Sequence, residues 1–529
     1  MRGCDIRLNS LTGIKLLIHY VQKIKTGKYM TFKRSAGILL HPSSLTGKFG
    51  MGNIGKEAFD FIDFLAKAKQ TIWQILPLNF PGYGNSPYNP ISAFANNPLL
   101  IDLTRLIDQG LISNLDLENS PKFLDSKVEF HKVEKFKIKI LKSAFEILKN
   151  KNNVRLYRSF KKFCFKNQQW LNDFALFASL REHHQGKSWN TWEKNIRNRK
   201  STAIKIWEEQ LSDQIEFQKF LQYIFAKQWR ELKLYANEKR VKIVGDIPIY
   251  VAYDSADVWA NQDLFKLNKD GNPTVVAGVP PDYFSPTGQL WGNPIYNWVK
   301  MQHDDFQWWQ DRIANLLENV DYVRIDHFIG FVRNWQVAYG KNTAEQGEWL
   351  DVPGEKLLST LKNKFGELPI IAEDLGALTK EVIALRDQFG FPGMLPLQFA
   401  FGDNFVPLNE FPQNKIIYSG THDNDTTLGW FRAVQNHEPK IYQKLQEVLN
   451  SNEKNICRDM IEFAYSSPCI WAITSMQDVL ALGTKARMNT PGTVGGNWEW
   501  RLSKNMLTDK IANRLAKLTN KYNRFPPEN

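Results

Sequence analysis

Three short segments each set a carboxylate at the end of an apolar run: YVRIDHFIG at 322 to 330, PIIAEDLG at 369 to 376 and YSGTHDND at 418 to 425. Asp326, Glu373 and Asp423 follow residues rich in Ile, Val and Tyr, where a buried parallel strand delivers a side chain at its C-terminal end. Spacings of 47 and 50 residues leave room for a helix and a return each time. VKIVGDIPIYV at 241 to 251 repeats the pattern and offers Asp246. Paired carboxyls of this kind suit glycoside chemistry. With retention of configuration, one attacks and the other serves as acid and then base, the two standing about 5 to 5.5 Å apart. Asp326, a short side chain on a rigid strand end, is the candidate nucleophile, with Arg324 two positions earlier on the same face as its counter-charge. Glu373 is the candidate acid/base and needs a raised pKa to enter the reaction protonated. Asp423, beside His422, is placed to bond sugar hydroxyls and to stabilise the positive charge of an oxocarbenium-like transition state.

Each of these residues has a plainer reading. A lone Asp at a strand end is more often a helix cap or turn former than a catalyst, and Asp246 fits a structural hydrogen-bond acceptor equally well. That reading weakens when three carboxylates share three motif-rich strand ends. His327 and His422 fit packing histidines better than metal ligands, because no pair has close ligand spacing. Trp291 taken alone suits a core, but its polar, Gly-rich setting favours exposure at a site.

To position these groups the chain needs a barrel, and eight strand candidates recur in order: 35 to 41, 72 to 78, 242 to 251, 321 to 326, 369 to 374, 393 to 401, 415 to 423 and 469 to 480. Eight is the number that closes a parallel barrel, and helical patterns such as GKEAFDFIDFLAKAK and DFQWWQDRIANLLENV separate most of them. The expected fold is α/β, a (β/α)8 TIM barrel. The second and third candidates lie about 160 residues apart, far beyond an ordinary crossover, so a largely helical subdomain is expected there at about 105 to 240. Within it, Val133, Phe136, Ile140, Leu141, Phe145 and Leu148 recur at helical period, and the intervening lysines read as a solvated face. Residues 252 to 300, rich in Pro, Gly, Asn and aromatics, read as a long structured loop over the barrel mouth.

The 529 residues fit a large domain with insertions, and 43% hydrophobic residues with 13% aromatic ones mark a globular chain. Seventeen Trp suggest sugar stacking, with core packing as the blander account. Cys4, Cys164, Cys457 and Cys469 show neither paired nor metal-like spacing, which points to a reducing compartment. The net charge of +13 is concentrated in residues 1 to 34, which carry +7, and 122 to 162, which carry +9, so the remainder is nearly neutral. No recognition motif accompanies the charge, so a nucleic-acid partner is not expected. No apolar run of about 18 residues predicts a membrane span. Residues 1 to 33 read as a poorly ordered basic extension: a weak targeting sequence, or an upstream extension before a start at Met30.

SAGILLHPSSL, GYGNSPYNPISAFANNPLLI, VGDIPIYVAYDSADVW, GVPPDYFSPTGQLWGNPIY, VRIDHFIG, IAEDLG, PGMLPLQFAF, GTHDNDT and RMNTPGTVGGNWEWR together resemble the 4-alpha-glucanotransferases of the amylomaltase or disproportionating-enzyme family, glycoside hydrolase family 77 in the alpha-amylase clan. The resemblance spans about Arg34 to Arg501. It implies Asp326 as nucleophile, Glu373 as acid/base and Asp423 as transition-state stabiliser. It further implies Arg324 and His422 as sugar contacts, Tyr88 as the tyrosine stacking beside the donor sugar, Gln289 and Trp291 on the acceptor side, Asp246 as the clan's third-strand Asp, and Asn489 as a further contact. The implied partners are an alpha-1,4-glucan donor and a glucose or maltooligosaccharide acceptor, with no metal or organic cofactor. The implied compartment is the cytoplasm, or a plastid if the basic extension is a targeting segment. The resemblance leaves two other readings open: an alpha-amylase-like hydrolase on the same barrel, and a noncatalytic glucan-binding protein.

Overall fold

The computed structural model describes residues 32–150, 153–281, 285–376, 378–402 and 405–527. The proposed basic extension, 1–33, falls outside them but for its last two residues. In chain order the strands are β1 (Ser35–Leu39), β2 (Ile72–Gln74), β3 (Lys242–Pro248), β4 (Val275–Val279), β5 (Gln289–Pro294), β6 (Tyr322–Asp326), β7 (Arg333–Ala338), β8 (Gly347–Asp351), β9 (Ile370–Ala372), β10 (Gly393–Pro396), β11 (Lys415–Tyr418) and β12 (Trp471–Ser475). Eight of them pair in parallel in the order β10-β11-β12-β1-β2-β3-β6-β9. The seam between β9 and β10 is bridged where the Ala372 amide donates to the Pro392 carbonyl at 3.0 Å. The result is the (β/α)8 barrel.

Both faces of these strands are buried, which is why they read as unbroken apolar runs. Val244, Tyr322, Ile371, Ile416 and Trp471 pack together on the inner face, while Ile243, Val323, Ile325 and Ile370 join the outer core under the helices. At the base of the barrel the rings of Phe32, Tyr322 and Trp471 pack with centroids 4.8 to 5.1 Å apart. A Cβ on Gly37 would stand 2.5 Å from that of Ile72, so β1 and β2 approach as they do only because that position has no side chain. The helix Lys56–Lys67 buries Ala58, Phe61, Ile62 and Leu65, the i, i+3, i+4, i+7 stripe, and sets Phe61 edge-on against Trp73 of β2.

Several strands are shorter than their apolar runs. The run 393 to 401 is a strand only to Pro396 and then turns helical over Leu397–Ala400; likewise 469 to 480 gives β12 followed by the helix Met476–Val479. The strand expected over 415 to 423 stops at Tyr418, leaving Asp423 on the following turn. Short apolar runs carry no period that separates a buried strand from a buried helix, and pairing ends where the barrel neighbours end.

Between β2 and β3 the chain forms helices that include Phe130–Lys149, Val154–Lys166, Gln168–His183 and the 27-residue Ser212–Glu238. The last grips the segment after β2 by two side-chain amides. Gln222 exchanges hydrogen bonds with the Asn96 backbone at 2.8 and 2.9 Å, and Gln228 does so with that of Asp102 at 2.8 and 3.0 Å. Six residues of helix rise only about 9 Å, so the facing six-residue segment must be contracted, and the 3-10 turn Pro98–Leu100 contracts it. Lys137 adds a third tie, donating to the carbonyls of Leu99 and Ile101 at 2.6 and 2.9 Å. This lysine corrects the expectation of a wholly solvated lysine face: it lies on the apolar stripe, fully buried, because its ammonium serves two carbonyls the helix would otherwise strand. The segment 252 to 300 is likewise not all loop. It contributes β4 and β5, which join β7 and β8 in an antiparallel sheet ordered β5-β4-β7-β8.

Candidate active site

The two-residue period of β6 builds the first cluster, since Tyr322, Arg324 and Asp326 share the inner face. Arg324 is buried and sends both of its contacts with Asp246 through Nη1, at 2.9 and 2.7 Å, while Nη2 donates to Asp326 at 2.8 Å. Its Nε points to Met394 Sδ at 3.2 Å. Burial opposes the guanidinium charge, but the carboxylates of Asp246 and Asp326 outweigh it and hold Arg324 firmly protonated. Asp246 is sealed, whereas the Asp326 side chain keeps 31% of its surface open, so Asp326 is the member of this trio that a ligand can reach.

Glu373 stands one residue beyond β9 and is stitched to β6 by its amide, which donates to the Ile325 carbonyl at 3.0 Å. Its carboxyl accepts from two backbone amides, His327 at 2.7 Å and Leu375 at 3.0 Å. His327 presents its amide this way because it adopts the left-handed conformation, φ 57° and ψ 54°. Burial, and next the charge of Asp326, push Glu373 up to about 7, against Arg324 and the two amides. A carboxyl treated in this way can release a proton near neutrality.

The third cluster forms on the turn after β11. Asp423 accepts from Asn489 Nδ2 at 2.6 Å and meets His422 Nε2 at 3.2 Å. Burial alone would raise it; the His422 charge and hydrogen bond, with Asn489, carry Asp423 well below the ordinary carboxylate range. His422 shifts the other way, burial lowering it and Asp423 raising it further. Tyr88 stacks on the His422 ring at 4.9 Å and 15° and donates its hydroxyl to Asp246 at 2.8 Å, which joins the first and third clusters. Gln289 and Trp291 alternate on β5 with their side chains exposed, and Trp291 Nε1 donates to Gln289 Oε1 at 3.2 Å. Trp291 meets His327 edge-to-face at 4.7 Å, and through that ring the antiparallel sheet reaches the end of β6.

Nine of the ten residues singled out in the sequence are thus linked to one another directly or through His327, and Gln289 joins through Trp291. Sequence reasoning passed over Arg487, which donates to the Asp423 carbonyl at 2.6 Å and to that of Asn489 at 2.7 Å, although it stands two positions before Asn489 in the same motif. It also missed Trp498, 5.8 Å from Tyr88, and His41 at the end of β1, whose burial pushes its imidazole down to about 3. A small recess under the Asp423 turn is lined by His41, Leu76, Thr421, His422, Gln477 and Arg487, among others. Among the described residues no group of three or more His, Cys, Asp or Glu is placed to hold a metal ion, and no helix is long and apolar enough to cross a membrane.

Residues 40–508 match the family model for 4-alpha-glucanotransferase. A 4-alpha-glucanotransferase from Synechocystis is 45% identical over 94% of this chain and 99% of its own length. The chloroplastic/amyloplastic 4-alpha-glucanotransferase of Arabidopsis thaliana is 40% identical over 93% and 86%. Among solved structures, amylomaltase from Streptococcus agalactiae in complex with acarbose superposes with a TM-score of 0.89 at 39% identity, covering 93% of this chain and all of that one. A barrel whose strand ends carry this carboxylate constellation, in a chain alike to these relatives over almost its whole length, belongs to the 4-alpha-glucanotransferase family.

Proposed function

We propose that the chain transfers a segment of a 1,4-alpha-D-glucan to the 4-hydroxyl of an acceptor glucose or glucan by a retaining double displacement. The observation that carries the mechanism is the contrast between two neighbouring carboxyls: Asp326 takes a guanidinium hydrogen bond, whereas Glu373 takes only backbone amides and is pushed up to about 7. In the first step a carboxylate oxygen of Asp326 bonds to the anomeric carbon as the glycosidic bond breaks, and the Glu373 proton passes to the departing oxygen. In the second step Glu373 takes the proton of the acceptor 4-hydroxyl, whose oxygen bonds to the anomeric carbon and releases Asp326. Two inversions restore the alpha configuration.

Asp423, fixed by Asn489 and His422 and still 43% open, accepts hydrogen bonds from donor-sugar hydroxyls and its charge favours the cationic transition state. Tyr88 lies beside that sugar. Gln289 and Trp291 cover the acceptor side, where transfer requires sugar to displace water. The compartment that fits this reading is the cytoplasm, with a plastid as the other setting found among the relatives' names. Incubation with maltotriose tests the reaction: a ladder of longer oligosaccharides plus glucose supports transfer, and shortening without lengthening defeats it in favour of hydrolysis.

A further inference from the structure

The barrel is poorest in backbone bonds beside the residue that moves the proton. Between β9 and β10 the described residues make one backbone hydrogen bond, from the Ala372 amide to the Pro392 carbonyl, whereas every other neighbouring pair forms a ladder. The side chain of Asp374 fills the gap. Its Oδ1 accepts from the Met394 amide of β10 at 2.8 Å, and its Oδ2 pairs with Lys415 of β11 and with Arg386 of the helix Lys380–Gln388. That carboxylate is sealed, and each of the two cations keeps only 12% of its side chain open. A Cβ on Gly393 would collide with Asp374 Oδ2 and Lys415 Nζ, so the carboxylate reaches the seam only because that position has no side chain.

Glu373 sits one position before this clasp. Its own amide is bonded to β6, and the amide of Leu375, one position after the clasp, donates to its carboxyl at 3.0 Å. Asp374 thus fixes the centre of a three-residue turn whose first member carries the proton and whose last member steadies it. We propose that Asp374 is a positioning residue for Glu373: clasped by Met394, Lys415 and Arg386, it closes the barrel seam and so holds the Glu373 carboxyl in the dry, fixed setting that its proton transfer requires. This rests on the transferase reading above. The charged groups facing Glu373 are Asp326 and Arg324 of β6; those facing Asp374 are Lys415, Arg386 and, beyond Arg386, Asp387. Burial is the main cause that raises Glu373, so a loosened turn that admits water lowers it. A displacement of about 1 Å also costs on the order of a hundredfold in rate.

Two substitutions disturb the clasp by different means. Asp374→Asn removes its charge and leaves Lys415 and Arg386 uncompensated, so freed positive charge and admitted water both pull Glu373 down. Gly393→Ala leaves every charge in place and pushes the carboxylate off the seam with one methyl group; the backbone there lies outside the left-handed region, so alanine adopts it. The measurements are kcat/KM for maltotriose against pH, first-turnover fluoride release from alpha-maltosyl fluoride, and melting temperature. In both variants the alkaline limb should move to lower pH by at least about 0.5 unit, and kcat/KM at its optimum should fall at least about tenfold. Fluoride release should stay within about threefold of wild type, because that leaving group needs little acid assistance. A lower melting temperature with an unmoved limb and wild-type rates overturns the proposal, since the clasp would then serve stability alone. Equal losses on both donors overturn it too, because the disturbance would reach Asp326 as much as Glu373. A limb that moves in Asp374→Asn but not in Gly393→Ala also overturns it, as charge and not position would be the cause. If Asp374→Asn does not fold, Gly393→Ala decides alone. Wild-type protein that neither releases fluoride nor lengthens maltotriose overturns the transferase reading itself, a result distinct from all of these.

Discussion

Arg324 spends one amino group on Asp246 and the other on Asp326, so a sealed carboxylate and an open one share a single guanidinium. The planar fork makes this possible; an ammonium would have to choose. Arg324→Lys is therefore expected to leave Asp246 poorly paired in a buried site, at a cost on the order of 3 kcal/mol of stability. Turnover should fall at least about a hundredfold, because Asp326 loses its positioning contact. Thermal denaturation and maltotriose disproportionation measure the two effects, and loss of stability without loss of turnover would place Arg324 outside the chemistry.

On the proposed mechanism Glu373 is expected to set the alkaline side of the pH profile. As the proposed proton donor it would have to begin the reaction protonated, so kcat/KM should fall about tenfold per pH unit above its pKa, which lies near 7. Glu373→Gln should abolish that limb along with most turnover on maltotriose. A fluoride donor, whose leaving group needs little acid assistance, should retain much of its first-step rate.

The same shift has a stability consequence with a definite sign. The folded protein holds the Glu373 proton up to about 7 while the unfolded chain releases it near 4.5. Between those values the folded state binds more protons, so this group's contribution declines as pH rises and is flat beyond. Glu373→Gln should gain on wild type across that window by roughly 1 to 3 kcal/mol, discounted for partial solvent contact. Melting temperatures of both proteins at pH 4.5, 6 and 8 test it; a constant difference would contradict the raised value.

Asn489 donates to Asp423 across 66 residues of sequence at 2.6 Å. Asn489→Ala should lower kcat roughly ten- to a hundredfold, the worth of one hydrogen bond to a charged group, with a smaller change in KM. Steady-state kinetics distinguish this from a binding role, which would move KM alone.

Lys137 ties the inserted helices to the segment after β2. Lys137→Met fills the same volume but strands two carbonyls, so a loss of about 1 to 3 kcal/mol is expected. Urea denaturation checks it, and stability at or above wild type would mean that the buried charge costs more than its bonds return.

The barrel was legible because its strands obey two simple rules: apolar where both faces are buried, and polar where the inner face meets the mouth. YVRID shows both, and its two-residue period alone puts Arg324 and Asp326 on one side. Where the rule ran out, as in PLQFAF after β10, the residues stay apolar while the backbone turns helical. The links among site residues were less legible. Asp246 and Arg324 are 78 positions apart and Tyr88 and Asp246 158, and a side chain's partner across the barrel leaves no local trace. Lys137 hid for a related reason: one lysine among many looks solvated until the carbonyls of Leu99 and Ile101 are seen to need it.

The amide grips of Gln222 and Gln228 have a practical meaning for anyone trimming this enzyme. They hold the stretch that follows the Tyr88 loop, and Tyr88 in turn bonds Asp246 and stacks on His422. The helices between β2 and β3 are therefore scaffolding for the side chain that joins the Asp246 and His422 clusters, and not an appendage. Their outer surface can be recoated freely, but excising them would leave a barrel with the Tyr88 bridge between its carboxylate clusters adrift.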